Sequence, residues 1–125
     1  MNKPLDWFKF RDSEGSSWRS ALSSFEISPD LKGRPGSTGF DGLTYCREKF
    51  FLIDAASPRE VQDYITLHEI MHVSLSGHNF GKEEEKVINE MAPPLYKILR
   101  QFGLKWPERP AEAAALERRA RRLIK

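Results

Sequence analysis

His68, Glu69 and His72 have a spacing that suits metal chemistry. On an α-helix, residues four apart project from the same face, so the two imidazoles can bind one metal ion. Glu69 is turned by about 100° from His68, which places its carboxylate near a water on that ion without making it a ligand. A catalytic zinc site has three protein ligands and an open position, where zinc lowers the pKa of water towards about 7. The spacing therefore predicts Zn²⁺ at His68 and His72, with Glu69 as the general base.

The helix that carries these residues has a clear start. Ser57 at the N-cap, Pro58 at the first helical position and Glu60 at the third form a capping box, which predicts a helix beginning at Pro58. The helix must extend beyond His72, and Gly77 is its expected end. An apolar strand is predicted directly before it, so the metal-binding residues lie on an element with a well-defined position.

Short strands and one loop account for most of the chain before this helix. Alternating and apolar runs predict strands over 5–11, 43–46 and 49–53, the last two joined by only two residues. The segment 18–27 has apolar residues at helical spacing, but its serines weaken a helix and leave a strand open. Residues 28–42 contain two prolines and four glycines, which predicts a loop.

A second long helix is expected after the first. Its apolar pattern begins near residues 81–82 and runs to Phe102, where Gly103 is expected to end it. Pro93 and Pro94 lie inside the pattern, and we expect them to kink the helix or divide it into two.

The sequence His68-Glu69-x-x-His72 on such a helix resembles the zincin superfamily of metallopeptidases. Residues 49–103 are similar to the small bacterial and phage zincin-like domains of the ImmA/IrrE and SprT/WLM types. This resemblance implies a short β-sheet beside the active-site helix, a second helix that brings the last metal ligand, and hydrolysis of peptide bonds.

The third ligand has candidates on the second helix. In the gluzincin-like arrangement a Glu comes from the next helix, and Glu83, Glu84 and Glu85 are available. In the ImmA-like pattern the ligand Glu is followed four positions later by Asp or Asn, which matches Glu85 and Asn89. The resemblance thus implies Glu85 as the ligand and Asn89 as a partner that orients a ligand His, with Glu84 as the next choice. Acidic residues also favour a helix N-terminus, which accounts for the others in this run.

His78 is the alternative third ligand. It follows His72 by six residues, which is the spacing of the metzincin signature, and WLM- and SprT-like proteases also use a third His. Six helical residues turn by about 600°, so His78 faces away from His72 unless the helix breaks first. Gly77 is able to break it, so the sequence leaves Glu85, Glu84 and His78 open.

Composition limits the class of protein. The chain has 125 residues, of which 39% are hydrophobic and 30% charged; this suits one domain with its own core and excludes fibrous and wholly disordered classes. No apolar run reaches the roughly 20 residues that cross a bilayer, and residues 1–11 lack the apolar region of a signal peptide. Cys46 is the single cysteine, so we expect no disulfide framework and a cytoplasmic location.

Positive charge is concentrated at the end of the chain. Residues 108–125 contain six basic and three acidic residues, so the formal charge of this tail is +3. The net charge of the whole chain is +2, so the formal charge of residues 1–107 is −1. Residues 111–125 are rich in Ala and Arg and predict a short helix. Its arginines can contact phosphates in nucleic acid without reading sequence, whereas the competing explanation is that they complement the helix dipole and aid solubility.

Together these patterns predict an α+β fold with a small mixed or antiparallel sheet. The sheet is expected to pack beside the HExxH helix and a second, ligand-bearing helix, with a short C-terminal helix. We expect one zincin-like domain over 1–107 and a basic helical tail over 108–125. The predicted function is zinc-dependent hydrolysis of a protein or peptide substrate, with metal ligands His68, His72 and Glu85. The alternative is a zincin-like metal-binding structural or interaction module without peptidase activity, phage-encoded or DNA-associated.

Overall fold

The computed structural model describes residues 4–24, 42–75, 81 and 83–122, which form four strands and three helices. The predicted α+β fold is confirmed. The predicted helix end at Gly77, the alternative ligand His78 and most of the predicted loop 28–42 lie outside the described residues. The elements are β1 (Leu5–Arg11), β2 (Ser17–Ser23), β3 (Gly42–Tyr45), β4 (Phe50–Asp54), α1 (Arg59–Leu75), α2 (Glu83–Gln101) and α3 (Ala113–Arg122).

The four strands form one mixed sheet in the order β1-β2-β4-β3. β2 pairs with β1 in antiparallel and with β4 in parallel, while β3 pairs with β4 in antiparallel. The segment 18–27, left open between helix and strand, is thus a strand over Ser17–Ser23. Its place in the sheet interior explains this outcome, because both of its edges are hydrogen-bonded and Trp18 and Leu22 are buried.

The connection between β3 and β4 is longer than predicted. Tyr45 pairs with Phe50 in the sheet, so four residues rather than two form the turn. Lys49 N donates to Tyr45 O at 2.9 Å, and Lys49 has φ of 60°. A two-residue hairpin turn requires Gly or Asn at positive φ, and this segment contains neither. The longer turn needs only one residue in the left-handed region, and Lys49 takes that position.

α1 and α3 cover the same face of the sheet and build the core with it. Gln62 N donates to Pro58 O at 2.9 Å, so the first turn of α1 forms where the capping box predicted it. Ile65 and Val73 on α1 pack with strand residues, and α3 adds small apolar side chains. The buried residues of this cluster are Trp7, Trp18, Leu22, Phe51, Ile53, Ala55, Ile65, Val73, Ala113, Leu116 and Ala120.

α2 continues through Pro93 and Pro94 as one helix, so the prediction that they divide it is wrong. A helical proline leaves the carbonyl four residues earlier without its usual donor. Here those carbonyls belong to Asn89 and Glu90, which are both exposed, so water can bond to them. The helix ends as predicted at Gly103, which has φ of 91° and donates its N–H to the carbonyl of Arg100 at 3.0 Å.

A buried polar network joins α3 to α1. The Glu117 carboxylate is 3% exposed; it accepts from Arg59 Nη2 at 2.8 Å and from Gln62 Nε2 at 2.8 Å. Gln62 Oε1 in turn accepts from Arg109 Nε at 3.0 Å. The basic tail is therefore built into the core on one side, while its exposed arginines lie on the other. None of the described helices combines the length and apolar character needed to cross a membrane.

The Glu117 network predicts how stability depends on pH. Burial raises the pKa of Glu117, but the bonds from Arg59 and Gln62 outweigh burial and hold the pKa below its ordinary value. A carboxylate with a lowered pKa in the folded state stabilises the fold at pH values above its pKa in the unfolded chain. This contribution is lost as the pH falls through the pKa of the folded state.

We therefore expect Glu117→Gln to lower the free energy of unfolding by about 1–3 kcal/mol at neutral pH. The difference from the unsubstituted chain should shrink in acid, as measured by urea unfolding at several pH values. Glu112→Gln, at an exposed position on the preceding turn, is the control and should change little. If Glu117→Gln lowered the free energy of unfolding equally at every pH, the charge of Glu117 would not be what stabilises the fold.

Candidate metal centre

The two histidines lie one turn apart on α1 and face the start of α2. Their ring centroids are 5.0 Å apart, and the side chain of His68 is only 8% exposed. The helix is held at this position because Ile65 and Val73 pack into the core with residues of the sheet. The imidazoles are thus presented by a fixed element, as the HExxH spacing on a helix predicts.

Glu85, in the first turn of α2, lies between the two imidazoles. Glu85 Oε1 is 3.1 Å from His68 Nε2, and Glu85 Oε2 is 2.6 Å from His72 Nε2. One ligand atom from each of the three residues lies within 4.8 Å of the others. Zinc bonds of about 2.0–2.1 Å in a tetrahedron place ligand atoms about 3.3 Å apart, so small movements suffice to admit an ion. This His-His-Glu group can hold a metal ion.

Glu84 orients one of the two imidazoles. Its Oε2 is 2.6 Å from His72 Nδ1, which leaves His72 Nε2 directed at Glu85. A carboxylate on the second ring nitrogen of a ligand histidine fixes its tautomer and raises its basicity. The resemblance implied Asn89 for such a role, but Asn89 is exposed and Glu84 makes the contact.

The electrostatics of the group suit a cation between the ligands. Burial works against a charge on His72, but the hydrogen bonds with Glu85 and Glu84 outweigh burial and raise the pKa of His72 to about 9. The bonds from His68 and then His72 hold the pKa of Glu85 far below its ordinary value. The carboxylates thus favour positive charge here, which a metal ion supplies when it displaces the imidazole proton.

Glu69 lies beside the group but is held by a different partner. Its side chain is 3% exposed, and its Oε2 is 3.8 Å from His68 Nε2. Thr44 Oγ1 on β3 donates to Glu69 Oε1 at 2.5 Å. Burial raises the pKa of Glu69, against the charge of His68 and the bond from Thr44. A buried carboxylate with a raised pKa, next to a potential metal site, is well placed to take and return a proton.

β3 supplies two contacts to Glu69 that sequence analysis missed. Besides Thr44, Gly42 approaches so closely that a Cβ atom there would lie 2.7 Å from Glu69 Oε2 and from Ile65 Cγ2. A larger residue at position 42 would therefore force the Glu69 or Ile65 side chain to move where β3 passes over α1. Neither residue belongs to a motif, and their relation to Glu69 depends on strand placement, so no sequence pattern indicated them.

A separate cleft lies away from the metal group. It has a volume of about 870 Å³ and is lined by residues of α1, α2 and the segment before α3, among them Asp63, Tyr96, Trp106 and Arg109. Arg109 Nη2 binds Asp63 Oδ1 at 2.7 Å, and Trp106 Nε1 donates to Asp63 O at 2.9 Å. Asp63 is thus paired with its neighbours in the cleft, and none of the three candidate ligands lines the cleft.

The three successive glutamates of α2 allow a matched test of the metal group. Glu85→Gln removes a charged ligand, and we expect it to weaken Zn²⁺ binding most. Glu84→Gln keeps the ligands but loses the orienting carboxylate, which should weaken binding about 10–100-fold. Glu83 is exposed, and Glu83→Gln should leave the Kd unchanged. Isothermal titration of metal-free protein measures all three, and equal affinities would contradict the assignment.

Comparisons with known proteins place no further constraint on this site. No family model matches the chain, and neither the curated proteins nor the solved structures contain a match to it. The arrangement of His68, His72, Glu85 and Glu69 in this chain, together with the resemblance carried by the HExxH motif, is therefore the basis for any functional proposal.

Proposed function

We propose that this chain is a zinc metallopeptidase of the gluzincin-like type. His68, His72 and Glu85 are the zinc ligands in this proposal, and Glu69 is the general base. The observation that carries it is the convergence of three ligand atoms within 4.8 Å, with a buried carboxylate 3.8 Å from one of the ligand nitrogens.

The donor set supports zinc among the common metals. Two imidazole nitrogens and one carboxylate form a ligand set used by catalytic zinc sites. Calcium and magnesium prefer oxygen ligands, so His68 and His72 disfavour them. The same donors also serve non-haem Fe(II), but Glu69 directly beside the ligands favours hydrolysis, where a base for water is needed.

The roles of the side chains follow from their positions. When bound, zinc makes water more acidic and polarises a carbonyl oxygen. Glu69 accepts the proton of the attacking water and passes it to the leaving amine, since its carboxylate is adjacent to the ligands without being one of them. Thr44 is a positioning residue that holds Glu69 in this orientation through its hydrogen bond. Glu85 is 59% exposed, so one side of the group is open to substrate.

The position of an edge strand of the described sheet next to the site supports a protein or peptide substrate. Among the described strands, β3 pairs only with β4, so it lies at one end of the described sheet. β3 also contacts Glu69 through Thr44, which places this edge beside the candidate base. An extended peptide can add to such an edge by main-chain hydrogen bonds, and its peptide bonds then lie near the metal group.

Nucleic-acid contact through the basic tail stays a separate prediction, as does the cytoplasmic location. Arg118, Arg119 and Arg122 are exposed on α3, but α3 also buries Leu116 and Ala120 in the core. Deleting the tail would therefore damage the fold, and replacing the exposed arginines by Gln is the sharper way to measure salt-sensitive DNA binding.

Replacing Glu69 by Gln separates catalysis from metal binding. We expect the variant to keep one Zn²⁺ per chain and to lose hydrolysis by at least about 10²–10⁴-fold, because Gln cannot accept a proton. Cleavage of a mixed peptide library, read by mass spectrometry, measures activity, and elemental analysis measures zinc.

His72→Ala is the companion variant, and it should lose the metal. Retained hydrolysis by Glu69→Gln would overturn the base assignment. A zinc-loaded, unsubstituted chain that cleaves no peptide in the library would overturn the peptidase proposal in favour of a metal-binding module.

Thr44 gives a test of the positioning contact. Thr44→Val keeps the shape but removes the hydroxyl, so Glu69 loses its hydrogen-bond donor. We expect kcat to fall about 10–100-fold, with zinc content and KM nearly unchanged, and Thr44→Ser to restore most of the loss. If Thr44→Val instead raised KM and left kcat unchanged, or if Thr44→Ser did not restore kcat, Thr44 would act through the packing of β3.

A further inference from the structure

α2 has a continuous apolar stripe beside the face that it buries in the protein. Val87, Met91 and Ile98 are 45%, 46% and 50% exposed, and Phe102, directly after the helix, is 83% exposed. Their spacings of four, seven and four residues place them on one line along the helix, about 22 Å long. The buried residues Ile88, Ala92 and Tyr96 are centred about 110° around the helix from the stripe. The stripe is therefore additional to the face that packs in the core.

The charges beside this stripe are distributed unevenly along the helix. Glu90 and Lys97 lie on the same flank, one on each side of the helix midpoint. They are seven residues apart, about 10 Å along the axis, which is too far for an ion pair within one helix. Neither forms an ion pair with another described residue. Lys86 lies one turn before Glu90 on this flank, but no ion pair between the two is formed within the described part of the chain.

We propose that the stripe is a homodimer interface in which two copies of α2 pack antiparallel. A twofold axis between Pro94 and Leu95 places Val87 of one copy beside Phe102 of the other, and Met91 beside Ile98. The same operation brings Glu90 of each copy to the level of Lys97 of the other, within about 3 Å along the axis. One surface thus complements itself in both apolar shape and charge, as an isologous interface requires.

The charge pattern selects this partner and this orientation. A parallel pair would place the flank that carries Glu90 and Lys97 on opposite sides of the interface in the two copies, so neither charge would gain a partner. An unrelated apolar partner would have no need for charges related by a twofold axis through the stripe. Glu85 lies about 130° around α2 from the centre of the stripe, whereas Glu84 lies on the line of the stripe, just before Val87. The proposed pairing holds whether or not the chain is a peptidase.

Charge reversal tests the twofold relation directly. Sedimentation equilibrium over a range of concentrations should show a monomer–dimer equilibrium for the unsubstituted chain. Glu90→Lys and Lys97→Glu should each raise the dimer Kd by about tenfold or more, because each places like charges opposite one another twice. The double variant E90K/K97E should restore the dimer, and a mixture of the two single variants should form heterodimers in preference to either homodimer.

Two further variants keep the test independent of folding. Phe102→Ser should weaken the dimer without loss of helix signal in circular dichroism, since Phe102 is almost fully exposed. Glu14→Lys makes the same charge reversal on the β1–β2 turn and should leave the Kd unchanged.

Several results would overturn the proposal. The proposal is wrong if the unsubstituted chain stays monomeric at all concentrations. It is also wrong if the single charge reversals do not raise the dimer Kd, or if the double variant does not restore the dimer. Association of the chain only with an unrelated protein through this stripe, with no self-association, would replace the second copy by that partner.

Discussion

The contact between the imidazoles of α1 and the carboxylates at the start of α2 is the interaction on which the candidate site depends. Glu84 and Glu85 are adjacent in sequence, yet they bind opposite nitrogens of the same His72 ring. That is possible because the first turn of α2 lies directly across the end of α1. Acidic residues are favourable at a helix N-terminus, so the features that stabilise the start of α2 also supply the third candidate ligand and the group that orients the second.

The local features of the fold were predictable where a single element carries the signal. The HExxH spacing and the capping box at Ser57 are properties of one helix, and they define α1 and its presented face. The connection after β3 was not predictable to the same degree, since Lys49 at φ of 60° is unusual for a residue with a side chain. Pro93 and Pro94 argued against one helix, but the carbonyls they leave unpaired belong to exposed residues, so the usual penalty is reduced.

Contacts between distant elements were beyond the reach of sequence patterns. Thr44 and Glu69 are 25 residues apart, and their hydrogen bond exists only because β3 lies along α1. Glu84 was named in the sequence as a possible ligand, whereas the structure gives it the orienting contact and places Glu85 between the rings. Which of the three consecutive glutamates meets the histidines depends on the direction in which each projects from α2. The resemblance in motif spacing favoured Glu85, but only the packing of α2 on α1 determines these directions.

The close approach of β3 to α1 has a mechanical consequence. Gly42 leaves no space between the strand backbone and the Glu69 carboxylate, and Thr44 binds the same carboxylate. β3 and the Glu69 carboxylate are therefore joined by a hydrogen bond and a close packing contact. A displacement of β3 would thus be transmitted to the Glu69 carboxylate through the Thr44 hydroxyl and the Gly42 backbone.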